Sequence, residues 1–324
     1  MIRMGEREEG FTLIELLIAL ILSIIIVGAV YGTFNSQQKS FFLINQKTDM
    51  QQQGRVAMNL LMRDLRMAGY LVPSAKAIRV TDNNITNATT PVSDVVTVLY
   101  ADQDFSGLSI QASVGSPPTS VTVEVQPGGT FAPNTDYTNK NIVLWTSSEN
   151  NSVIRRITQV SGSGAQRTFT LGNVDTFLSG LTPAFDSSTD NSASYTGGSA
   201  YVLTTRTYDV QSNVLRINDH NDGTLNGTPQ SLAEGVEILQ FDFEMSDGST
   251  LSDPTASSHS IDQIRAVTIY LLLRNRAQDP DYVDTTTYPL GTGNVVYTPG
   301  SSTALQPFRR RLFNTLVRLR NFGL

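Results

Sequence analysis

Glu15 is the one charged side chain in the apolar run FTLIELLIALILSIIIVGAVYGTF, which extends from Phe11 to Phe34. A carboxylate inside a membrane helix costs about 2.5–3.5 kcal/mol on insertion scales and persists where it is paired or functional. The polar segment MIRMGEREEG precedes the run and ends in Gly10. A cut after Gly10 would give Phe11 a free, positively charged α-amine four residues before Glu15, and groups at that spacing are neighbours on a helix. The expected chemistry is therefore processing between Gly10 and Phe11, then pairing of the new amine with Glu15, within one chain or between adjacent ones.

Other groupings promise less. The chain has no cysteine, which excludes disulfides, thiolate metal sites and cysteine nucleophiles, and its two histidines, His220 and His259, exclude a multi-histidine centre. Asp219-His220-Asn221-Asp222-Gly223 gathers oxygen ligands before a glycine, yet it lacks the EF-hand spacing and a distal glutamate. An Asx-rich turn is expected there, as at Asp102 and Asp104, and calcium near Asp219–Asp222 is left open. No G-x-S-x-G motif supplies a hydrolase nucleophile. No enzyme, metal or cofactor is expected. Arg309, Arg310, Arg311, Arg318 and Arg320 invite a DNA-binding reading, but Phe313, Thr315, Val317 and Leu319 alternate as one strand face among them. With 23 basic against 29 acidic residues and a net charge of −6, paired arginines flanking a strand are expected, and nucleic acid is not among the expected partners.

These groups need elements to hold them. Residues 11–34 can span the roughly 30 Å hydrocarbon core as a helix. A cleaved secretory signal fits poorly, because Gly28-Ala29-Val30-Tyr31 offers no small-x-small site. Gly28 and Gly32 have the small-xxx-small spacing that lets helices approach closely, and each weakens the helix by about 1 kcal/mol, so unwinding could begin there. The helix continues amphipathically over 35–70, with Val56, Leu60, Leu61 and Leu65 on one face and Arg63, Asp64 and Arg66 at other angles. Gly69 is expected as its left-handed cap, with Pro73 just beyond. From Phe11 to Ala68 the helix would run about 87 Å.

From Ser74 onward, β-branched runs alternate with Gly, Asn, Asp, Ser and Pro clusters. The expected strands are 95–100, 121–125, 142–146, 153–160, 168–171, 201–208, 214–217, 236–244, 266–273 and 312–319. Ser179–Gly198 and Thr285–Thr303 read as long polar loops. The fold class expected is α+β: a long N-terminal helix, transmembrane then amphipathic, packed on a β-rich antiparallel domain over 75–324.

Gly10-Phe11-Thr12-Leu13-Ile14-Glu15 resembles the signal of type IV prepilins and type II secretion pseudopilins. The resemblance implies a cleaved leader at 1–10, cleavage after Gly10 and N-methylation of Phe11 by a prepilin peptidase/N-methyltransferase, and a registering role for Glu15 against a neighbour's amine. The chain departs from the pattern in two respects. Its leader is acidic apart from Arg3 and Arg7, and no proline precedes Pro73. Because acidic residues count little in topology, the two arginines can still hold the leader in the cytoplasm.

Four later segments resemble PilW-type minor pilins: 54–70, 234–241, 264–267 with 271–274, and 308–311 with 317–321. The middle of the chain, 75–198, resembles nothing named. The resemblance implies a minor pilin that does no chemistry. It would join other minor pilins, and the major pilin, in a complex that primes assembly and stays at the pilus tip. It implies residence in the inner membrane with a cytoplasmic N-terminus, then on the cell surface. Partners would be membrane lipid, the inner-membrane assembly machinery and, in some systems, a large tip adhesin. Because capping subunits can lack the glutamate, Glu15 implies an internal place. A J-like pseudopilin and a tip adhesion or ligand-binding module are the alternatives.

Overall fold

The structure, a computed structural model, describes residues 11–83, 91–102, 105, 107–125, 137–146, 152–162, 164–173, 194–220, 228–254, 259–292, 296–299 and 304–322. One helix, α1, runs from Leu13 to Met67. The chain divides into two compact units at Asp49 and Met50, so α1 contributes to both.

In the first unit the helix is continuous through Gly28 and Gly32. Its hydroxyls turn back onto the backbone: Ser23 donates to the Ala19 carbonyl (2.7 Å) and Thr33 to that of Ala29 (2.9 Å). This satisfies both hydroxyls inside an otherwise apolar cylinder.

In the second unit α1 buries Met50, Gly54, Ala57, Met58, Leu61, Asp64 and Leu65. The steps of three and four residues are those of one helical face. This corrects the face read from sequence in two respects. Val56 is 48% exposed, and Asp64, expected at another angle, is fully buried. At Gly54 the helix backbone meets the Phe313 ring, and Ala57, Leu61 and Leu65 are buried further along the same face. Gly69 ends the helix with φ +76° and donates its N–H to the Leu99 carbonyl, 3.0 Å away. Asn321 supplies the rest of the cap, its amide reaching the carbonyls of Ala68 (3.0 Å) and Met67 (3.4 Å). The C-terminal segment thus satisfies acceptors that every helix end leaves open.

The strands are β1 (Ile78–Thr81), β2 (Val95–Ala101), β3 (Leu108–Val114), β4 (Ser120–Val125), β5 (Asn141–Trp145), β6 (Ser152–Ser161), β7 (Gln166–Gly172), β8 (Ser199–Gln211), β9 (Val214–Asp219) and β10 (Thr228–Glu234). They continue with β11 (Val236–Met245), β12 (Thr250–Leu251), β13 (Ile264–Arg274), β14 (Tyr288–Pro289), β15 (Val296–Tyr297) and β16 (Arg310–Arg318). All ten expected strands form, with ends shifted by a few residues. β1, β3, β10 and the two-residue strands were missed. β14 and β15 lie inside the expected loop Thr285–Thr303, and Tyr288, Leu290 and Tyr297 of that stretch are buried against Ile238 and Leu272.

The pairings β8–β3–β4–β7–β6–β5 return to β8, so six antiparallel strands close a ring. Alternate residues such as Leu108, Ile110, Val121, Val123, Ile142, Leu144, Phe169, Ala200 and Val202 form its core. This barrel accounts for most of the stretch that resembled nothing. Its closing strand β8 outlasts the ring: Ser199–Leu203 pair with β5, while Leu203–Tyr208 pair with β2 and Arg206–Gln211 with β9. The extension, with β1 and β10, faces a second sheet ordered β12–β11–β13–β16. The Met50–Ala68 face of α1, the inner residues of β1, β2 and β8, and Phe241, Phe243, Val267, Ile269 and Val317 make the main core.

Candidate functional site

At the start of α1 the Glu15 carboxylate accepts the backbone N–H of Thr12 (3.0 Å) and the Thr12 hydroxyl (2.9 Å). The Thr12 oxygen in turn lies 3.4 Å from the Glu15 N–H. Thr-x-x-Glu closed in this way is a capping box, which satisfies donors that the first turn cannot. The spacing was legible in Thr12-Leu13-Ile14-Glu15, but the carboxylate was read only against the future amine. Phe11 is 90% exposed, and Gly10 lies outside the described residues.

Along the same helix every large apolar side chain from Leu13 to Phe34 is exposed. This stretch is long and apolar enough to cross a membrane, and its most apolar window is not buried among the described residues. A Cβ built on Gly28 or Gly32 would meet nothing within 4 Å. Their small faces open outward, available to another helix.

Two buried ionic clusters, both unforeseen, fix the globular unit. In the first, Asp64 of α1 accepts the hydroxyl of Tyr208 (2.5 Å), that of Tyr100 (3.3 Å) and Arg206 Nη1 (3.2 Å), while Arg63 Nε donates from the helix itself (2.9 Å). Burial, then the adjacent Asp64 carboxylate, pushes both tyrosine hydroxyls well above their usual range, so they remain donors. In the second, Arg310 bonds Glu237 (Nη2–Oε1 3.0 Å) and Asp284 (Nη1–Oδ2 3.0 Å), and all three side chains are fully buried. Tyr297 donates to Glu237 (3.1 Å) and Tyr288 to Asp284 (2.9 Å). The cluster ties the segment carrying β14 and β15 to the outer face of the second sheet.

Two of the five clustered arginines are therefore neutralised internally: Arg310 here, and Arg309 by Asp279, 2.9 Å away. Asp219 faces Arg206 Nε at 3.4 Å and His220 is buried with its Nε2 on Thr207 (2.9 Å), while Asn221 to Gly223 lie outside the described residues. Asp104 lies outside them too. His259 pairs with Asp247 at 2.9 Å. Among the described residues no cluster of three or more His, Asp or Glu could hold a metal.

Comparison with known proteins meets these features at both ends of the chain. Residues 7–31 match the model described as the prokaryotic N-terminal methylation motif. Residues 194–321 match the family described as Type IV Pilus-assembly protein W. Among solved structures, a type IV-like pilin from Thermus thermophilus is similar at 12% identity and a TM-score of 0.35, covering 84% of this chain and 98% of its own. No curated protein matches the chain.

A prepilin-type terminus ahead of a β-rich domain whose C-terminal part matches a pilus-assembly family supports a PilW-type type IV pilin. More narrowly, the match over 194–321 is to the PilW family, a structural and assembly family rather than a known enzyme family. The two matches support a minor-pilin role in type IV pilus assembly, and the apolar helix is consistent with membrane anchoring.

Proposed function

We propose that the chain is cut between Gly10 and Phe11, methylated at Phe11, and built into a priming complex of minor pilins that remains at the tip of the pilus. The observation that supports this reading is the Thr12–Glu15 box at the head of a helix whose apolar surface is exposed among the described residues. Thr12 gives the carboxylate two donors while the subunit waits in the bilayer, which lowers the cost of holding a lone acid there. When a neighbour's amine arrives, the carboxylate exchanges these neutral donors for a charged one, and charge-assisted hydrogen bonds are roughly twice as strong. Exchange at one fixed depth sets the axial register, and Gly28 and Gly32 allow the helices to close on one another. Arg3 and Arg7 hold the leader on the cytoplasmic side before the cut. The carboxylate favours an internal place in the complex over the outermost one, and the PilW match favours a pilus over a secretion pseudopilin.

Intact-mass and N-terminal analysis of the membrane-extracted chain tests the processing step. N-methyl-phenylalanine from residue 11 is the expected terminus. A leader still attached, or a cut after residue 29 or beyond, contradicts it.

A further inference from the structure

We propose that the basic groove between the C-terminal end of α1 and the residues after β16 is a docking surface for a carboxylate-rich segment of a neighbouring pilin subunit. Asn59, Met62, Arg63, Arg66, Met67 and Arg320 line an open groove of about 300 Å³. Asn321 fixes its two sides to each other by capping the carbonyls of Met67 and Ala68. The seam continues toward Gly54, where Arg311 lies over the Phe313 ring at 5.3 Å and that ring rests on the glycine.

The charge in the groove is unbalanced. Asp64 is the acid at hand, but it is fully buried and shared between Arg63 and Arg206. Arg66 and Arg320 are exposed and have no ion pair among the described residues. Residues 309–324 contain five arginines and no acid, in a chain whose net charge is −6. The chain's 29 acidic residues all lie outside that stretch, and a second pilin-type subunit with a similar imbalance would present carboxylates to this groove. Head-to-tail contacts between unlike patches are what build an extending assembly.

The shape favours protein over nucleic acid. Guanidiniums grip carboxylates in bidentate fashion, and two methionines give the groove an adaptable apolar floor; Met and Arg are the residue types enriched at protein interfaces. The identity of the partner as a pilin rests on the function proposed above. The acidic chemistry of the occupant does not, so each can fail alone.

The test uses the full chain in detergent, with a fluorescent oligoglutamate peptide, a single-stranded DNA oligomer of equal charge, and vesicles containing anionic phospholipid as separate probes. Saturable oligoglutamate binding is expected, weakening as salt rises and at least tenfold weaker for Arg66→Glu/Arg320→Glu. Arg66→Gln/Arg320→Gln, which adds no new charge, should show the same direction of loss and serves if the reversal variant does not fold. The proposal is overturned if oligoglutamate does not bind, if both variants bind it as the parent does, or if DNA or vesicles bind more tightly through the same arginines. None of these readouts requires cleavage at Gly10.

Discussion

The Phe313 ring of β16 lies directly on Gly54 of α1: a methyl group built there would stand 2.7 Å from the ring's Cε2 and Cζ. The glycine is thus a seat for an aromatic ring in the middle of a helix. Gly54→Ala sets a helix-propensity gain of about 1 kcal/mol against an overpacking cost of about 1–3 kcal/mol. A net loss of stability is expected in thermal unfolding of the detergent-extracted chain. Gly54→Ala with Phe313→Leu should recover most of that loss, because the smaller side chain vacates the space.

Asp64 fixes the rotation of the helix on the sheets, since Tyr100, Tyr208 and Arg206 all converge on it. Asp64→Ala leaves a partly buried guanidinium and two hydroxyls without their acceptor, and a loss of about 3–5 kcal/mol is expected. Tyr208→Phe removes one donor from a carboxylate that keeps three others, and about 1–3 kcal/mol is expected. Denaturant midpoints for the two variants should rank in that order.

Asp94 makes stability depend on pH. Its carboxylate accepts the N–H of Phe241 (3.0 Å) and of Asn83 (3.1 Å) where β2 approaches the edge of β11, and Asp82 lies beside it. Burial, opposed in part by the Asn83 bond and reinforced by Asp82, pushes the Asp94 pKa up to about 8 from 3.8. The folded chain then keeps a proton that the unfolded chain releases above about pH 4. The acid's contribution is fully present below pH 4 and is lost as pH rises through about 8, at up to about 1.4 kcal/mol per unit. Melting temperature should fall across pH 5–8. Asp94→Asn should melt lower than the parent at pH 5, and the difference should narrow by pH 8.

Arg310 holds two buried carboxylates, Glu237 and Asp284, and also donates to the carbonyls of Leu305 (2.9 Å) and Phe308 (3.0 Å). Arg310→Ala is expected to cost about 3–5 kcal/mol by stranding both acids. Arg310→Lys should rescue little, because an ammonium cannot span the planar fork. Proteolysis of the variant should begin in the 280–300 segment, which the cluster retains.

The helix, its left-handed end at Gly69 and ten strands were legible because each has a local cause: an apolar run, a glycine, or β-branched alternation. Asp64 was not, since a charged residue in an amphipathic pattern reads as outward-facing, and its three sheet partners lie 36 to 144 positions away. Val56 was misplaced for the complementary reason. The packed face is marked by small residues, Gly54 and Ala57, rather than by bulk. The barrel was invisible because closure depends on β8 pairing at once with β3 and β5, which no single segment encodes. At the site itself, the Thr12–Glu15 box is written in the sequence as Thr-x-x-Glu, a local signal that the lone charge in an apolar run overshadows.

The central claim is that Glu15 registers the subunit through a neighbour's amine. Incorporation of Glu15→Gln into pili, measured against the parent in cells with equal membrane levels of processed protein, tests it most directly. The variant is expected to be cut after Gly10, to insert normally, and to be lost from the assembled pilus at least tenfold. Pili that contain the variant at parental levels would contradict it.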